Sequence, residues 1–543
     1  MVLAVIPARG GSKGIPRKNV RLMNGKPLIY YAIHNAKNCP SIDDVVVSSD
    51  DEEILKIASS YGVETMTRDS ELAKDAVTLD PVIYDAVCTM EKKKGIQYDV
   101  VITLQVTSPL LSSDTLDKAL ESFLTSSDDT YISVVNKPHL SWTKKDGCYV
   151  PNYEKRLNRQ QLPPNYLETG AFLITRRECM EVNSRIGKKV SVYEMPEREA
   201  VDIDAASDWV LCEHELKKKR IILRADGYKE LGMGHIYHCL TLAYNLTGQE
   251  LLFVTKEQHE PGLKKLQEAN MPVHTIKSDE EFLEFVQEWK PDVVVNDCLN
   301  TKADYIKELK KYVKRVVTIE DLGEGADYAD AVINALYEDH TRGDNYYWGS
   351  NYVCLRDEFF CATPSVFHEQ VQNIVVIFGG TDPSNFTKRI YEMAKRIHKD
   401  YPEIKFHFAL GVGYDQNANR IETDEAAGIY VEQNLKRISD LFAKADLAFT
   451  SQGRTVYELA TMGVPAVVMA QNEREMKHTF AQMNNGFLNL GLGKNVADET
   501  IETTFRWLVE TPQIRKEMQS LMMRHDLKSG IKRVIGLILE DEE

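Results

Sequence analysis

Short apolar runs alternate with amphipathic segments along most of the chain. The runs at residues 2–6, 44–47, 100–104, 131–135 and 170–174 are mostly continuous. Continuous runs predict strands that are covered on both faces of a sheet. Residues 52–61 and 115–124 have the apolar spacing of helices that bury one face, and Ser112 and Ser113 precede the second of these as good N-cap types. This order predicts an α/β fold with a Rossmann-type sheet.

The β/α alternation restarts twice along the chain. The charged segment 213–220 reads as the end of a helix that begins near residue 205, and a new strand follows at 221–224. A second restart lies at 373–378, directly before two glycines. These breaks predict a first domain at 1–212, a short linker at 213–220, and a two-lobed module with lobes at 221–367 and 368–543.

Composition narrows the class of protein. The chain has 543 residues, of which 43% are hydrophobic, enough for packed cores. Its net charge is −16, which argues against nucleic-acid binding because that function requires a basic surface. Its nine cysteines include no CxxC pair, which favours free thiols in the cytoplasm. We also expect no membrane insertion, since no stretch approaches the roughly 20 apolar residues of a membrane helix.

A basic, glycine-rich loop directly follows the first predicted strand. Its glycines allow backbone amides to turn toward an anion. Its four cations are Arg9, Lys13, Arg17 and Lys18. The spacing is not that of a Walker A loop. A solvated basic turn is one interpretation, but the position at the carboxyl end of a strand favours a ligand such as a nucleoside triphosphate.

Polar side chains follow two other predicted strands. Gln105 and Thr107 could contact a base edge or a sugar hydroxyl. Asp202 and Asp204 point to the same side if their segment is extended, and two such carboxylates near a triphosphate are typical of an Mg²⁺ site. A helix cap or a solvated edge is the alternative for this Asp-x-Asp pair.

Together these segments resemble the CMP-sialic acid synthetases, the cytidylyltransferases of nine-carbon sugar acids. The resemblance covers residues 1–212 and rests on the segments at 6–19, 25–29, 48–50, 105–109 and 202–204, which occur in the family's order. It implies a nucleotide-diphospho-sugar transferase-like fold, with transfer of CMP from CTP to a nonulosonic acid of the sialic, legionaminic or pseudaminic type. Pyrophosphate would be released, and we expect a homodimer through this domain.

The resemblance also implies roles for individual residues. Lys18 and Arg9 would act in catalysis, and Asp202 and Asp204 would bind Mg²⁺. The CTP-binding residues would be Ser12, Lys13, Asn19, Arg68 and Gln105. Thr107 and Arg159 would face the sugar acid. The family usually has Asn before a Gly-Ala pair, and this chain has Thr169 there.

A second candidate site begins after the strand at 221–223. Asp226 follows this strand, and a glycine turn then leads to His235 at the start of a predicted helix at 236–246. The positive end of the helix dipole opposes protonation, so we expect a neutral imidazole that could act as a general base. A capping or core histidine is the alternative.

Two further glycine turns follow strands in the last third of the chain, at 378–383 and 451–458. Backbone amides at the start of a helix can hold a diphosphate, and Glu458, one turn into the helix, could accept hydrogen bonds from a ribose. Either turn taken alone favours an ordinary β-to-α connection.

Residues 220–480 jointly resemble the two-lobed GT-B architecture, and in particular the UDP-sugar hydrolase of the pseudaminic acid pathway. The resemblance implies that His235 and Asp226 are catalytic. The residues it implies for UDP-sugar binding are Gly234, Gly380, Thr381, Ser451, Gly453 and Glu458. The family often has Gly-His-x-x-Arg, whereas this chain has His238 at the last position. A GT-B glycosyltransferase and a non-catalytic assembly domain are the alternatives.

Overall fold

The computed structural model of the chain describes residues 1–11, 14–74, 76–228, 232–339, 341–411, 413–433, 435 and 437–540. It divides into two compact units, Met1–Lys218 and Lys219–Glu543. The division lies within the segment for which the sequence predicts a linker.

The first unit is built from alternating strands and helices. Its strands are β1 Val2–Pro7, β2 Leu22–Met23, β3 Lys26–Pro27, β4 Asp44–Ser49, β5 Glu64–Thr67, β6 Val100–Leu104, β7 Thr130–Asn136, β8 Trp142–Lys145, β9 Cys148–Pro151, β10 Tyr166–Arg176 and β11 Val190–Glu194. Its helices are α1 Leu28–Lys37, α2 Glu52–Ser60, α3 Leu79–Lys94, α4 Ser113–Thr125 and α5 Ala206–Leu216.

Seven of these strands form one sheet in the order β11-β7-β10-β6-β1-β4-β5. The pairings are parallel except for those of β10, which runs antiparallel to β6 and β7. Alternate residues of β1 belong to two different core clusters, with Ala4 and Ile6 in one and Leu3 and Val5 in the other. Both faces of the sheet are therefore covered, as the continuous apolar runs predict.

The structure departs from the predicted strands in two places. The run predicted at 170–174 lies inside the longer strand β10, whose pairing with β7 shifts register around Gly170. Strands β8 and β9 pair with each other as a separate two-stranded sheet that the sequence pattern did not predict. All eight of their residues are exposed, so no buried apolar run marks them in the sequence.

The second unit contains two further sheets. Its strands are β12 Arg220–Ala225, β13 Glu250–Lys256, β14 Val273–Ile276, β15 Val293–Asp297, β16 Arg315–Ile319, β17 Ala331–Asn334, β18 Tyr346–Trp348, β19 Asn373–Ile377, β20 Lys405–Leu410, β21 Ile429–Gln433, β22 Leu447–Thr450, β23 Ala466–Ala470 and β24 Phe487–Leu492. Its helices are α6 Gly234–Asn245, α7 Glu260–Glu268, α8 Asp279–Trp289, α9 Ala303–Leu309, α10 Glu358–Cys361, α11 Phe386–Ile397, α12 Ser439–Phe442, α13 Thr455–Met462, α14 Asp498–Glu510, α15 Pro512–Met522 and α16 Gly530–Leu539.

The two sheets correspond to two lobes, and their strand orders are β14-β13-β12-β15-β16-β17-β18 and β21-β20-β19-β22-β23-β24. Every described pairing in both is parallel. The α/β class with a two-lobed, GT-B-like second part is thereby confirmed. Helix α16 follows the second lobe in the sequence but packs on the first lobe. Its residues Ile531, Val534 and Ile538 belong to the core around β12.

Among the described helices, none combines the length and the apolar character that crossing a bilayer requires.

Candidate functional site

The first site forms where the loops after β1 and β6 meet the segment before α5. The Nζ atom of Lys18 donates a hydrogen bond of 2.7 Å to the backbone carbonyl of Ile203. The amide of Ile203 donates one of 2.9 Å to the carbonyl of Thr107. Residues 201–204 therefore join the basic loop to the segment that follows the central strand β6.

Two glycines permit this close assembly. A Cβ atom at Gly14 would lie 2.7 Å from the backbone oxygen of Asp204, so only glycine allows the loop to approach this closely. Gly170 has a φ of +71°, and a Cβ there would lie 3.3 Å from Nε2 of Gln105 and 3.5 Å from Oδ2 of Asp202. The structure thus brings Lys18, Gln105 and Asp202 to one edge of the sheet.

Asp202 lies in an electrostatic setting that suits a cation. Burial raises the pKa of its carboxyl, and the Asp204 carboxylate adds to the increase while the charge of Lys18 opposes it. Buried side-chain oxygens of Thr107, Ser108 and Asp202 have no hydrogen-bond partner among the described residues. Unpaired buried oxygens are costly, so their grouping here indicates a place for a ligand or an ion.

The described residues contain no cluster of three or more histidine, cysteine or acidic side chains that could enclose a metal. Asp202 and Asp204 form a pair instead. Such a pair fits Mg²⁺, which usually keeps waters and phosphate oxygens in its shell and takes one or two carboxylates from the protein. The oxygen Oδ1 of Asp202, buried and without a partner, is a suitable ligand atom.

Three further residues predicted for this site, Arg9, Asn19 and Arg68, are related to one another by a hydrogen bond and by charge. The side-chain amide of Asn19 donates a hydrogen bond of 2.8 Å from Nδ2 to the backbone carbonyl of Arg9, which fixes the loop. Arg68 is buried and donates to the carbonyl of Ser48 at 2.7 Å. Burial lowers the pKa of the Arg68 guanidinium, and Arg9 lowers it further against the opposing charge of Asp50. Arg9 and Arg68 therefore place two cations near each other.

Other predicted residues of this unit lie elsewhere or cannot be placed. Ser12 and Lys13 lie outside the described residues. Arg159 is exposed, with its guanidinium 3.8 Å from Glu197, and the structure does not join it to the Asp202 cluster. Thr169 is buried and donates to Oγ of Ser133 at 2.8 Å, which explains how a short hydroxyl side chain is held there.

In the second unit, two histidines share one carboxylate. Nδ1 of His235 lies 2.5 Å from Oδ1 of Asp297, and Nδ1 of His238 lies 2.7 Å from Oδ2 of the same side chain. Asp297 ends strand β15 and is fully buried. An ionised carboxylate only accepts, so both Nδ1 atoms carry the proton and both Nε2 atoms are left for other partners.

The expectation of a neutral His235, argued from the helix dipole, leaves out the carboxylate of Asp297. Burial opposes protonation, but the charge and hydrogen bond of Asp297 outweigh it, so the pKa of His235 is raised. For His238, burial and the charge of Arg454 outweigh Asp297 and the pKa is lowered. The pKa values of the two imidazoles on this carboxylate are therefore shifted in opposite directions.

Asp226, the second residue predicted to be catalytic in this unit, makes its ion pair with a histidine other than His235. Its carboxylate instead accepts a hydrogen bond of 2.8 Å from Nδ1 of His259, which precedes helix α7. The ring of Tyr228 stacks on His259 with centroids 4.5 Å apart. Asp226 follows β12 and Asp297 ends β15, so adjacent strands each carry a carboxylate–imidazole pair.

A cleft of about 1150 Å³ lies between the two lobes. Met233 and Tyr237, which flank His235 in sequence, line its first-lobe side, and Gly380 and Thr381 line the other side. Added Cβ atoms at Gly232, Gly234 and Gly380 would meet no other heavy atom within 4 Å, so these turns face open space. Their backbones can approach a ligand closely.

The glycine turn at 451–454 begins helix α13. Ser451 is buried, and its Oγ lies near both Gly379 and Gly453, so the two predicted nucleotide turns are neighbours. Glu458 is largely buried, and its Oε1 accepts a hydrogen bond of 2.8 Å from Nε of Arg356, a residue that lines the cleft. One carboxylate oxygen of Glu458 is therefore already engaged by a protein cation.

Several residues of these sites were missed in the sequence. Asp297 is the last residue of an apolar strand, and this position is the signal that could have identified it. Arg454 belongs to the glycine turn at 451–458, for which only other residues were predicted to bind a ligand. Glu320 has a left-handed backbone with a φ of +54°, and nothing in its local sequence predicts this. Asp50, which belongs to the segment 48–50 that carries the family resemblance, accepts a hydrogen bond of 3.0 Å at Oδ1 from the amide of Gly10.

The first unit is similar in sequence to known cytidylyltransferases. The sequence profile of the family described as "Cytidylyltransferase" matches residues 3–231. A pseudaminic acid cytidylyltransferase of Campylobacter jejuni is 35% identical over 214 residues, which cover 38% of this chain and 92% of that protein. An N-acylneuraminate cytidylyltransferase of Oncorhynchus mykiss is 30% identical over 293 residues, covering 52% of this chain and 66% of that protein.

An uncharacterized protein of Methanocaldococcus jannaschii is 30% identical over 275 residues. The match covers 47% of this chain and 56% of the archaeal protein. The chain thus spans little more than half the length of that relative.

Proposed function

The chain belongs to the cytidylyltransferase family through its N-terminal region, and from this membership we propose that the first unit transfers CMP from CTP to a nonulosonic acid. The observation that carries the proposal is the assembly of Lys18, Gln105 and Asp202 around Gly170 and Ile203. The names of the Campylobacter and Oncorhynchus relatives support this class of sugar acid, and we leave open whether it is sialic, legionaminic or pseudaminic.

The proposed reaction joins the anomeric hydroxyl of the sugar acid to the α-phosphorus of CTP and releases pyrophosphate. Lys18 and Arg9 stabilise negative charge that develops on phosphoryl oxygens. Gln105 and Thr107 contact the base or sugar, and Asp202 and Asp204 would hold Mg²⁺. The ion would supply further neutralisation of the triphosphate.

A substrate panel tests this proposal. The purified full chain is incubated with CTP and each of the three acids, with Mg²⁺ or with EDTA, and pyrophosphate is measured. We expect release with one acid and Mg²⁺ only. Release that needs no divalent ion would remove Asp202 and Asp204 from the metal role, and no release with any nonulosonic acid would refute the substrate class.

We further propose that the second unit hydrolyses a UDP-sugar. The observation that favours this is the His235–Asp297 pair, since Met233 and Tyr237 on either side of His235 line the cleft between the lobes. In its neutral form, His235 is held with Nδ1–H directed at Asp297, which leaves Nε2 able to take a proton from water. A glycosyltransferase and a non-catalytic assembly domain are the competing functions.

Acceptor-free release of UDP separates these functions. The substrates are diacetamido-trideoxy UDP-sugars, and the full chain is compared with its His235→Ala variant. Hydrolysis predicts UDP release that falls by about 10²–10⁴-fold in the variant, as for a lost general base. UDP release only after addition of an acceptor would indicate a transferase, and no release under either condition an assembly role.

A homodimer through the first unit remains part of the proposal. Its support is the exposed sheet of β8 and β9, where Trp142 and Tyr149 are 53% and 71% exposed. Large exposed apolar side chains grouped on one hairpin are typical of a contact surface.

A further inference from the structure

His259 occupies the N-cap position of α7, but its side chain does not cap the helix. Its Nδ1 atom instead donates a hydrogen bond of 2.8 Å to Oδ1 of Asp226. Both side chains are largely buried, at 14% exposed for His259 and 11% for Asp226. A carboxylate with so little access to water depends on protein donors for its hydrogen bonds, so the imidazole of His259 has a specific partner.

The Asp226–His259 pair lies next to the His235–Asp297 pair. In the sheet of the first lobe, β12 has β13 on one side and β15 on the other, so the strand order reverses its direction between β12 and β15. Asp297 is paired in register with Ala225, the residue before Asp226. Open α/β sheets bind ligands beyond the carboxyl ends of their strands at such a reversal. Asp226 is therefore placed where a ligand of this lobe is expected.

Tyr228 connects the Asp226–His259 pair to the cleft between the lobes. Its ring stacks on the imidazole of His259, with centroids 4.5 Å apart and an angle of 30° between the planes. Tyr228 lines the cleft, and so does Glu260, the residue after His259. Tyr228 is therefore a side chain that a ligand in the cleft can touch, and the ring of His259 lies against it.

The backbone around these side chains is closely packed. The amide of Gly262 in α7 donates a hydrogen bond of 3.0 Å to the carbonyl of Gly227. A Cβ atom at Gly227 would lie 2.6 Å from Cγ1 of Ile236 in α6 and 3.2 Å from Cα of Gly262. Only glycine permits this approach, so α6 and α7 both pack directly on the residue that separates Asp226 from Tyr228. The imidazole at the start of α7 is thereby held at a fixed position relative to both side chains.

We propose that His259 is a positioning residue of the second unit. Its Nδ1–H orients the carboxylate of Asp226, and its ring supports Tyr228, which contacts the bound UDP-sugar. The two described hydrogen bonds to the Asp226 carboxylate, from His259 and from the amide of Lys256, both go to Oδ1, so Oδ2 is the oxygen left for a ligand or a water. This role deepens the proposed function of the unit and rests on it. Neither His259 nor Tyr228 is implied by the family resemblance.

Two variants of His259 in the full chain separate its two contacts, since asparagine retains a side-chain N–H donor and phenylalanine retains a ring. UDP release from diacetamido-trideoxy UDP-sugars is measured. His259→Asn should keep kcat and raise KM by about two- to tenfold, because the stacking on Tyr228 is lost. His259→Phe should keep KM and lower kcat by about tenfold or more, because a hydrogen bond to the Asp226 carboxylate is lost. His274→Asn, which removes another stacked histidine of the same lobe, is the matched control and should behave like the wild type.

Two further variants separate positioning from a purely structural role. His259→Ala removes both contacts, so we expect a lower kcat together with a higher KM, and thermal unfolding reports any loss of stability from the unpaired carboxylate. A higher kcat in His259→Asn than in His259→Ala would support the orienting role of the Nδ1 donor. Equal loss of kcat in both would show that His259 only maintains the fold, and the assignment would be wrong. Tyr228→Ala should reproduce the raised KM of His259→Asn, and an unchanged KM would remove Tyr228 from the ligand site.

The outcomes also distinguish this role from the proposed function. If the wild type releases UDP and every His259 variant matches it, the role of His259 fails while the hydrolase proposal stands. If the wild type binds the UDP-sugar in titration calorimetry without releasing UDP, hydrolysis fails. His259→Asn and Tyr228→Ala should then weaken that binding, and unchanged affinity in both would refute the role. If the wild type neither binds nor hydrolyses the UDP-sugar, both proposals fall together.

Discussion

Lys18 and Ile203 are 185 positions apart in the sequence, yet the Nζ atom of Lys18 donates a hydrogen bond of 2.7 Å to the Ile203 carbonyl. Ile203 lies between Asp202 and Asp204, so this bond fixes a cation beside the two carboxylates proposed to hold Mg²⁺. This one hydrogen bond therefore holds the Lys18 ammonium group next to the segment that carries the two carboxylates.

Replacement of Lys18 should act on the chemical step. We expect Lys18→Ala to lower kcat for CTP by about 10²–10³-fold, because a positioned cation stabilises charge that develops in the transition state. Steady-state pyrophosphate release measures the effect, with Lys56→Ala, an exposed lysine on α2, as control. A variant with normal kcat and a raised KM for CTP would show that Lys18 only binds substrate.

Replacement of Asp202 should impair the use of Mg²⁺. Asp202→Asn keeps the size of the side chain but loses the charge that attracts Mg²⁺, so we expect turnover to fall by about 10²-fold or more. Asp114→Asn, at an exposed carboxylate paired with Lys118, is the matched control. Turnover restored to the wild-type level at high Mg²⁺ would mean that Asp202 tunes affinity without being required.

The two histidines on Asp297 should give opposite pH dependence of stability. The pKa of His235 is raised above its ordinary 6.5, so the pair stabilises the fold fully below pH 6.5 and less as pH rises through the raised value. The stability lost in His235→Gln, measured by thermal unfolding, should therefore be larger at pH 6 than at pH 9.

His238 provides the matched comparison. Its pKa is lowered, so its contribution is present above pH 6.5 and is lost as pH falls. The stability lost in His238→Gln should thus be smaller at low pH. The same trend in both variants would contradict the opposite pKa shifts of the two imidazoles.

Helix α16 should be required for the first lobe of the second unit. Ile538 is fully buried against that lobe, so Ile538→Ala is expected to cost about 2–5 kcal/mol of unfolding free energy. Denaturant unfolding measures the change, and Lys532→Ala on the exposed face of the helix is the control. A cost below about 1 kcal/mol would indicate that α16 is dispensable.

The exposed hairpin of β8 and β9 should control the oligomeric state. Trp142→Asp places a charge in the apolar surface and should convert the proposed dimer to a monomer, as measured by sedimentation. Lys145→Asp introduces an aspartate on the same hairpin without removing an apolar side chain, so this variant should remain a dimer if the apolar contact of Trp142 holds the dimer together. A wild-type monomer would refute the dimer.

Local pattern was sufficient to predict the architecture. Continuous apolar runs gave strands such as Val100–Leu104 with their observed bounds, because a strand buried on both faces must be apolar at successive positions. The loop containing Gly14 and Lys18 was identified because glycine and cation placement after a strand is itself a local signal. The hairpin of β8 and β9 was not predicted, because its residues are exposed and its sequence therefore contains no buried apolar run.

Only the tertiary structure decided which groups meet. The sequence placed Asp226 nearest to His235, but packing of β15 beside β12 supplies Asp297, 62 positions away, as the partner of the imidazole. The same holds for Arg454 and Glu320, which belong to different lobes. Periodicity and turn residues report how each segment is buried, whereas the pairing of charges depends on long-range packing that no single segment encodes.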